Sequence, residues 1–382
     1  MVASLSARGN ATSALAYYGH LAHDSQTSSP HQQAYYLNGE AAPGRWAGHG
    51  AERLSLSGPV RESDFKAALT GYDPRTNQIL VPRGGKSHRH VAGWDMTFSA
   101  PKSVSVLWAL SKKETRIAIE AAQKSAALKA ASWLENNAGW CRRGKNGALR
   151  QPTAGLLIAQ FDHETSRDRD PQLHTHSFIF NQAPRKDGTW GAIVSRDLYK
   201  AQTQADAIYL RHLAREMENL GYQTEREQIG FRVAIIPQRI EKAFSKRQQA
   251  IETEVQKQGY TSARQRDLAA LKTRKPKTTM NRNELFKAWK AEAKALGFEL
   301  GKQPEKAMPP MPVHHLARQN IVAKNIAHSP SPTAKISQDA ARIGHHLARA
   351  LQLLKQPSAL PGTRLKLTKM RRRKDPDQEA ER

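Results

Sequence analysis

The chain has 382 residues, enough for two or three domains, and carries 60 Lys and Arg against 34 Asp and Glu, a formal net charge of +26. Such an excess of cations is typical of proteins that bind a polyanion, with nucleic acid as the first candidate and an anionic membrane surface as a weaker one. The single cysteine, Cys141, excludes a disulfide within one chain, and without a signal peptide or a long apolar run we expect a cytoplasmic protein with no membrane insertion.

Two tyrosine pairs occur near the N-terminus, Tyr17–Tyr18 on a predicted short helix and Tyr35–Tyr36 further along. A tyrosine oxygen can attack a phosphodiester and keep the phosphate as a covalent ester. Adjacent tyrosines also arise by chance and pack with their hydroxyls at the surface. The pairs alone are therefore weak candidates for nucleophiles.

The next elements alternate between strand and helix. Residues 92–98 predict a strand, and Ser99 with Pro101 predicts a helix with proline in its first turn. Ser111 and Glu114 have the spacing of a capping box ahead of a longer helix.

Three histidines flank a charged turn in the sequence FDHETSRDRDPQLHTHSFIFN at 161–181. Residues 155–163 and 173–181 predict two strands of a hairpin, which would bring His163 beside His174 and His176. His174 and His176 are two positions apart, so both imidazoles face one side of the sheet. Three neutral imidazoles on one patch are typical of a divalent-metal site with open coordination positions.

A plainer interpretation is that these are ordinary histidines on a solvated hairpin. A third histidine at hairpin distance favours the metal site, and without paired cysteines a zinc finger is excluded. The turn between them alternates Arg and Asp, so we expect Asp168 and Asp170 to lie in a solvated loop rather than to bind the metal.

The remaining elements favour an α+β fold with an antiparallel sheet rather than a parallel doubly wound sheet. Residues 189–194 and 231–236 predict strands, and Asn281 begins a last clear helix. Beyond residue 301 proline, serine and charge dominate, with 16 Lys and Arg against 6 Asp and Glu. We expect a catalytic domain at 1–236, a helical segment at 237–301 and a basic, largely disordered tail at 302–382.

Several blocks, in this order and spacing, make the chain resemble the MobF-type conjugative relaxases, the TraI/TrwC group of the HUH endonuclease superfamily. They are AYYGH at 16–20, WAGHGAERLSLSG at 46–58, DMTFSAPKSVSVL at 95–107, the histidine block at 161–181 and FSKRQQAIE at 244–252. The resemblance covers about residues 1–300. It implies an antiparallel sheet with flanking helices and a mobile C-terminal helical lid.

The resemblance also implies residue roles. His163, His174 and His176 would bind a divalent metal, for which imidazoles accept Mn²⁺, Zn²⁺, Ni²⁺ or, less naturally, Mg²⁺. Tyr17 matches the primary nucleophile, with Tyr18 as its neighbour, and Tyr35 and Tyr36 match the pair used for a second transfer. Asp95 would orient a metal-bound histidine or help to take the tyrosine proton. By charge alone, Lys102 and Arg167 are possible phosphate contacts or ordinary surface cations.

The implied substrate is an origin of transfer, recognised as a DNA hairpin and a single strand. The implied partners are accessory relaxosome proteins and a coupling protein, and the protein could be transferred with the strand. We expect no helicase domain, because the RGGKS sequence at 83–87 lacks the first glycine of a Walker A motif, where Leu80 stands.

Two alternatives remain open. A rolling-circle replication initiator would use the same chemistry on a different substrate. A non-catalytic DNA-binding relative of the relaxases would explain the basic charge, although Tyr17, Asp95 and the three histidines are all present.

Overall fold

The computed structural model describes residues 3–9, 11–18, 44–81, 91–275 and 281–301. Tyr35, Tyr36 and the segment 302–382 lie outside these ranges, so the expectations for the second tyrosine pair and for the tail stay predictions.

The central element is a five-stranded antiparallel sheet with the strand order β1-β3-β7-β6-β2. Its strands are β1 Ser4–Arg8, β2 Arg45–Ala47, β3 Gly93–Ser99, β6 Ile158–Thr165 and β7 Pro171–Phe180. Three two-stranded ribbons accompany it: β4 Trp140–Arg143 with β5 Leu149–Pro152, β8 Ala183–Pro184 with β9 Trp190–Gly191, and β10 Thr224–Arg226 with β11 Phe231–Val233. The expected antiparallel α+β architecture is confirmed.

Ten helices lie within the described ranges. They are α1 Ala11–Tyr18, α2 His49–Arg53, α3 Glu62–Leu69, α4 Lys102–Leu110, α5 Lys113–Ala138, α6 Ser195–Asn219, α7 Gln238–Ala243, α8 Lys246–Gln258, α9 Ala263–Lys272 and α10 Arg282–Ala295. In this part of the chain, no helix combines the length and the apolar character that crossing a membrane requires.

The two faces of the sheet have different neighbours, which follow from the period of two along each strand. One face belongs to a large core that includes Leu173 and Ile179 of β7 and residues of α4, α5 and α6. The opposite face carries Phe178 and Phe180, which pack with Tyr18 of α1 and Phe65 of α3. Continuing along this second face of β7, the alternate positions before Phe178 are the two histidines of the HTH sequence.

Some local expectations were wrong. Lys112 is the N-cap of α5 and makes no side-chain cap, while the Ser111 hydroxyl donates instead to the Leu107 carbonyl at 2.6 Å. The predicted strands at 189–194 and 231–236 are shorter, ending at Gly191 and Val233. By contrast, Asn281 does cap α10, because its side chain accepts a bond from the Asn283 amide.

Candidate active site

The three histidines come together on the second face of the sheet. His163 of β6 is directly opposite His174 of β7 in the strand register, and His176 is opposite Phe161. The ring centroids are 5.2 Å apart for His163 and His174, 4.8 Å for His163 and His176, and 5.1 Å for His174 and His176. One ligand nitrogen from each ring falls within 4.8 Å of the others, so the predicted cluster has the spacing of a metal site.

Hydrogen bonds prepare two of these imidazoles as ligands. His176 Nδ1 lies 2.9 and 3.0 Å from the two carboxylate oxygens of Asp95, and His174 Nδ1 lies 2.8 Å from the Gln172 carbonyl oxygen. With the proton on Nδ1 in both rings, each Nε2 keeps a lone pair for a metal. The donor set therefore fits a divalent cation, which three imidazoles bind with positions left for other ligands.

The charge states suit metal binding. Burial lowers the pKa of His174 to about 4, and the charge of His176 acts in the same direction, so this ring is neutral near pH 7. Burial opposes ionisation of Asp95, but His176, Tyr18 and Arg8 together lower the pKa of this carboxyl to about 2. Asp95 is 1% exposed and is thus a buried carboxylate surrounded by donors.

The two tyrosines of the first pair approach the histidines differently. Their ring centroids lie 6.0 Å and 6.1 Å from that of His176, for Tyr17 and Tyr18 respectively. Tyr18 is 0% exposed, stacks on Phe161 at 5.3 Å, and has a pKa raised far above its ordinary value by burial and by Asp95. Tyr17 is only half-buried. The first tyrosine is therefore the one that faces solvent beside the cluster, whereas the second belongs to the core.

One residue beside the tyrosines was missed in the sequence. Arg8, the last residue of β1, donates to Asp95 at 2.5 Å, and its guanidinium carbon lies 4.8 Å from the Tyr17 ring centroid. The sequence around a single arginine at the end of a strand does not indicate a role in the site, because its two partners, Asp95 and Tyr17, belong to other elements.

We expected the charged turn between β6 and β7 to be a solvated loop. In the structure it is packed against other parts of the protein instead. The carboxylate of Asp168 is 3% exposed and pairs with Lys275, and that of Asp170 is 1% exposed and lies 3.6 Å from Lys246. The Arg169 carbonyl accepts a hydrogen bond from Trp289 Nε1 at 2.8 Å. The turn therefore contacts the C-terminal helices, and neither aspartate belongs to the histidine cluster.

A charged network continues this contact from the strand that carries His163. Arg282 of α10 donates to both oxygens of Glu164, at 2.6 and 2.9 Å, and to Glu120 of α5 at 2.6 Å. Trp108 Nε1 donates to the same Glu120 oxygen at 2.8 Å. Burial raises the pKa of Glu164 to about 7, although Arg282 opposes this. The first residue of α10 is thereby tied to the residue next to a candidate metal ligand.

The two cations predicted as possible phosphate contacts are placed differently. Lys102 donates from Nζ to the Pro171 carbonyl at 2.8 Å, and burial lowers the pKa of this amine to about 8. Arg167 donates to the Lys275 carbonyl at 3.4 Å and is among the cations whose charge lowers the pKa of Tyr17. Lys102 thus supports the turn, and Arg167 lies on the tyrosine side of it.

Comparison with known proteins supports the resemblance to the conjugative relaxases. The family model described as TrwC relaxase matches residues 11–296. The multifunctional conjugation protein TraI of Escherichia coli strain K12 is 33% identical over 279 residues, which cover 70% of this chain and 15% of TraI. The chain therefore spans about 15% of the length of the curated relatives it matches.

Solved structures of the conjugative relaxase TrwC agree with the fold. A metal-bound complex of TrwC with origin-of-transfer DNA has a TM-score of 0.66 and 30% identity, and a copper-bound complex has a TM-score of 0.67 and 33% identity. Both alignments cover 78% of this chain and 99% of the other. From the match over residues 11–296 we conclude that the chain belongs to the TrwC relaxase family.

Proposed function

We propose that this protein is a site- and strand-specific DNA nicking and joining enzyme, a conjugative relaxase. The observation that carries the proposal is the position of the half-buried Tyr17 beside His176 of a three-histidine cluster, on one face of one sheet. A nucleophile next to a cation site, in a chain of net charge +26, is an arrangement suited to forming a covalent phosphodiester intermediate with a nucleic acid.

In the proposed reaction the Tyr17 oxygen attacks the scissile phosphorus. The bond from phosphorus to the 3′-oxygen breaks, the phenolic proton goes to solvent, and the departing 3′-oxygen takes up a proton. The products are a 5′-phosphotyrosine ester and a free 3′-hydroxyl, and reversal rejoins the strand because the ester conserves the bond. Tyr18 is an unsuitable first nucleophile, since its hydroxyl is buried and its pKa is raised strongly.

Asp95 is better suited to orient His176 than to accept the tyrosine proton. Its carboxylate already accepts from His176 and Arg8, and its pKa of about 2 makes it a weak base. We therefore assign Asp95 to holding the His176 ring with Nε2 turned toward the cation site.

His163, His174 and His176 are proposed to hold a divalent metal ion, with Mn²⁺, Zn²⁺, Ni²⁺ and Mg²⁺ as the expected candidates. When bound, such an ion would polarise the scissile phosphate and offset its charge. The role of the protein is to keep His174 neutral and to orient the rings of His174 and His176, which the burial of His174 and the hydrogen bonds of both rings favour.

The proposed substrate is the single strand and adjoining hairpin of an origin of transfer, since the metal-bound and other TrwC structures are described as complexes with such DNA. Accessory relaxosome proteins and a coupling protein are proposed as further partners, and the bacterial cytoplasm as the place of reaction. We assign residues 1–236 to the catalytic domain and 237–301 to a helical segment that docks on the charged turn.

Adduct formation tests this function. Single-stranded oligonucleotides that tile both strands of the DNA flanking the gene would be labelled at either end and incubated with the protein and Mn²⁺. We expect one strand to give an adduct stable in detergent that retains the 3′ label, while the 5′ label stays on a free fragment. Absence of any adduct on either strand, with the protein folded, would contradict the proposal.

A further inference from the structure

Arg8 lies where the N-terminal strand meets the tyrosine helix. It is the last residue of β1, and α1 begins three positions later at Ala11. In the register between β1 and β3, Ser6 is opposite Asp95 and Arg8 is opposite Gly93, so Arg8 and Asp95 are diagonal neighbours on one face. This is the face that carries the histidines, since Asp95 contacts His176.

The guanidinium of Arg8 joins three groups of the candidate site. It donates to Asp95 Oδ2 at 2.5 Å, and its central carbon lies 4.8 Å from the Tyr17 ring centroid and 5.7 Å from that of Tyr18. The side chain is 28% exposed, whereas the Asp95 side chain is 1% exposed. One edge of the planar cation is thus fixed by a buried carboxylate, and the cation itself packs on the Tyr17 ring.

The negative charge of Asp95 has opposite effects on His176 and on the nearby tyrosine oxygens. It accepts from His176, which favours a correctly oriented imidazole, but a carboxylate also disfavours negative charge on a nearby tyrosine oxygen. The guanidinium of Arg8 pairs with Asp95 and lies over the Tyr17 ring, so its positive charge opposes this effect while the carboxylate still accepts from His176.

We propose that Arg8 is a positioning residue for the nucleophile: it holds the Tyr17 ring beside His176 and neutralises Asp95 while the tyrosine oxygen attacks. This inference rests on the proposed function, because it concerns the step in which Tyr17 forms the covalent adduct. Arg8 acts through Tyr17 and Asp95, so its loss should slow adduct formation and leave DNA binding largely unchanged.

Single-turnover adduct formation, measured against oligonucleotide concentration, separates these effects. For Arg8→Gln we expect the maximal rate to fall about 10- to 100-fold, as for a misplaced reacting group, with the half-saturating concentration within about twofold of wild type. Arg8→Lys keeps the charge without the planar fork and should recover part of the rate. Arg53→Gln removes an equal charge from the exposed side of α2 and should keep the wild-type maximal rate.

Two further measurements distinguish a role of Arg8 in positioning Tyr17 from a role in only holding β1 to the sheet. In the metal-free protein, the aromatic NMR signals of Tyr17, assigned with Tyr17→Phe, should shift in Arg8→Gln and stay in place in Arg53→Gln. The double variant Arg8→Gln/Asp95→Asn should lose less rate than the product of the single losses, because the charge that Arg8 offsets is gone.

The results that overturn the inference are specific. An Arg8→Gln variant with the wild-type maximal rate and unshifted Tyr17 signals would overturn it. So would equally slow Arg8→Lys and Arg8→Gln variants, if the rate loss of the Arg8→Gln/Asp95→Asn variant also equalled the product of the two single losses. Thermal melting would identify a variant that fails to fold, in which case Arg8→Lys decides. Wild-type protein that forms no adduct would count against the proposed function itself, not against the placement of Arg8.

Discussion

The ring of Tyr17 lies edge-on to the ring of His176, with their centroids 6.0 Å apart. The contact is possible because Tyr18, the next residue, is anchored among Phe65, Phe161 and Phe178. Burial of the second tyrosine therefore sets the position of the first. A helix that packs by its last residue presents the preceding residue at the edge of the core, next to the histidines.

Replacing one histidine of the cluster should abolish tight metal binding. For His174→Gln we expect the affinity for Mn²⁺ or Zn²⁺, measured by calorimetry on the folded protein, to fall at least about 100-fold, because one of three ligands is lost. His212→Gln, on α6 beside Ser125, is the matched control and should bind metal as wild type does. Equal affinity in both variants would argue against the cluster as the metal site.

The carboxylate of Asp95 should tune the site without being a ligand. In Asp95→Asn the amide oxygen can still accept from His176, but the negative charge is lost. We expect metal affinity to fall about 10- to 100-fold, the usual effect of removing the carboxylate partner of a ligating histidine. An affinity unchanged from wild type would show that the carboxylate does not contribute.

The site was largely predictable where a local pattern encodes it. Period two along HTH places His174 and His176 on one face, and a hairpin returns His163 to them, which the register confirms. The position of Tyr17 was predictable only through the family resemblance, because no spacing rule connects α1 to β7. Arg8 was not predicted by either route, since its partners are distant in sequence.

The charged turn shows why composition misleads. Alternating Arg and Asp suggested a solvated loop, yet Asp168 and Asp170 are buried against lysines from the C-terminal segment. The Ser166 hydroxyl accepts from both of their backbone amides, which fixes the turn locally. Burial here depends on Lys275 and Lys246, which follow their partners by 107 and 76 positions, and a sequence pattern within the turn does not indicate such distant contacts.

Lys102 should make the free energy of unfolding depend on pH in the alkaline range. Its pKa in the folded protein is about 8, below the ordinary value of 10.5, chiefly because of burial. Between these values the folded state binds fewer protons than the unfolded state, so the contribution of this group to stability rises with pH and is lost as pH falls through about 8. Urea unfolding from pH 7.5 to 10 should show this rise in wild type.

The variant Lys102→Met tests the assignment. We expect a flatter pH dependence of the free energy of unfolding than in wild type, whereas Lys113→Met, at an exposed position of α5, should keep the wild-type slope. The same variant should bind single-stranded DNA with an unchanged salt dependence, because the Lys102 amine is engaged by Pro171. A reduced salt slope would instead place Lys102 on the DNA.

The first residue of α10 should hold the C-terminal helices against the sheet. In Arg282→Leu, Glu164 and Glu120 lose their shared cation, and we expect a loss of about 1–3 kcal/mol in stability. Hydrogen exchange should become faster in α10, where Trp289 contacts the charged turn, and change less in α6. Exchange rates in α10 equal to those of the wild type, or rates that increase equally in α10 and α6, would contradict this anchoring role.

The most direct test of the account is to identify the residue that carries the DNA. The detergent-stable adduct would be digested with protease and nuclease and the modified peptide sequenced by mass spectrometry, in wild type, Tyr17→Phe and Tyr18→Phe. We expect the nucleotide on Tyr17, at least about a 10³-fold loss of adduct in Tyr17→Phe, and retention in Tyr18→Phe. A nucleotide on Tyr18, Tyr35 or Tyr36, or an undiminished adduct in Tyr17→Phe, would contradict the assignment of the nucleophile.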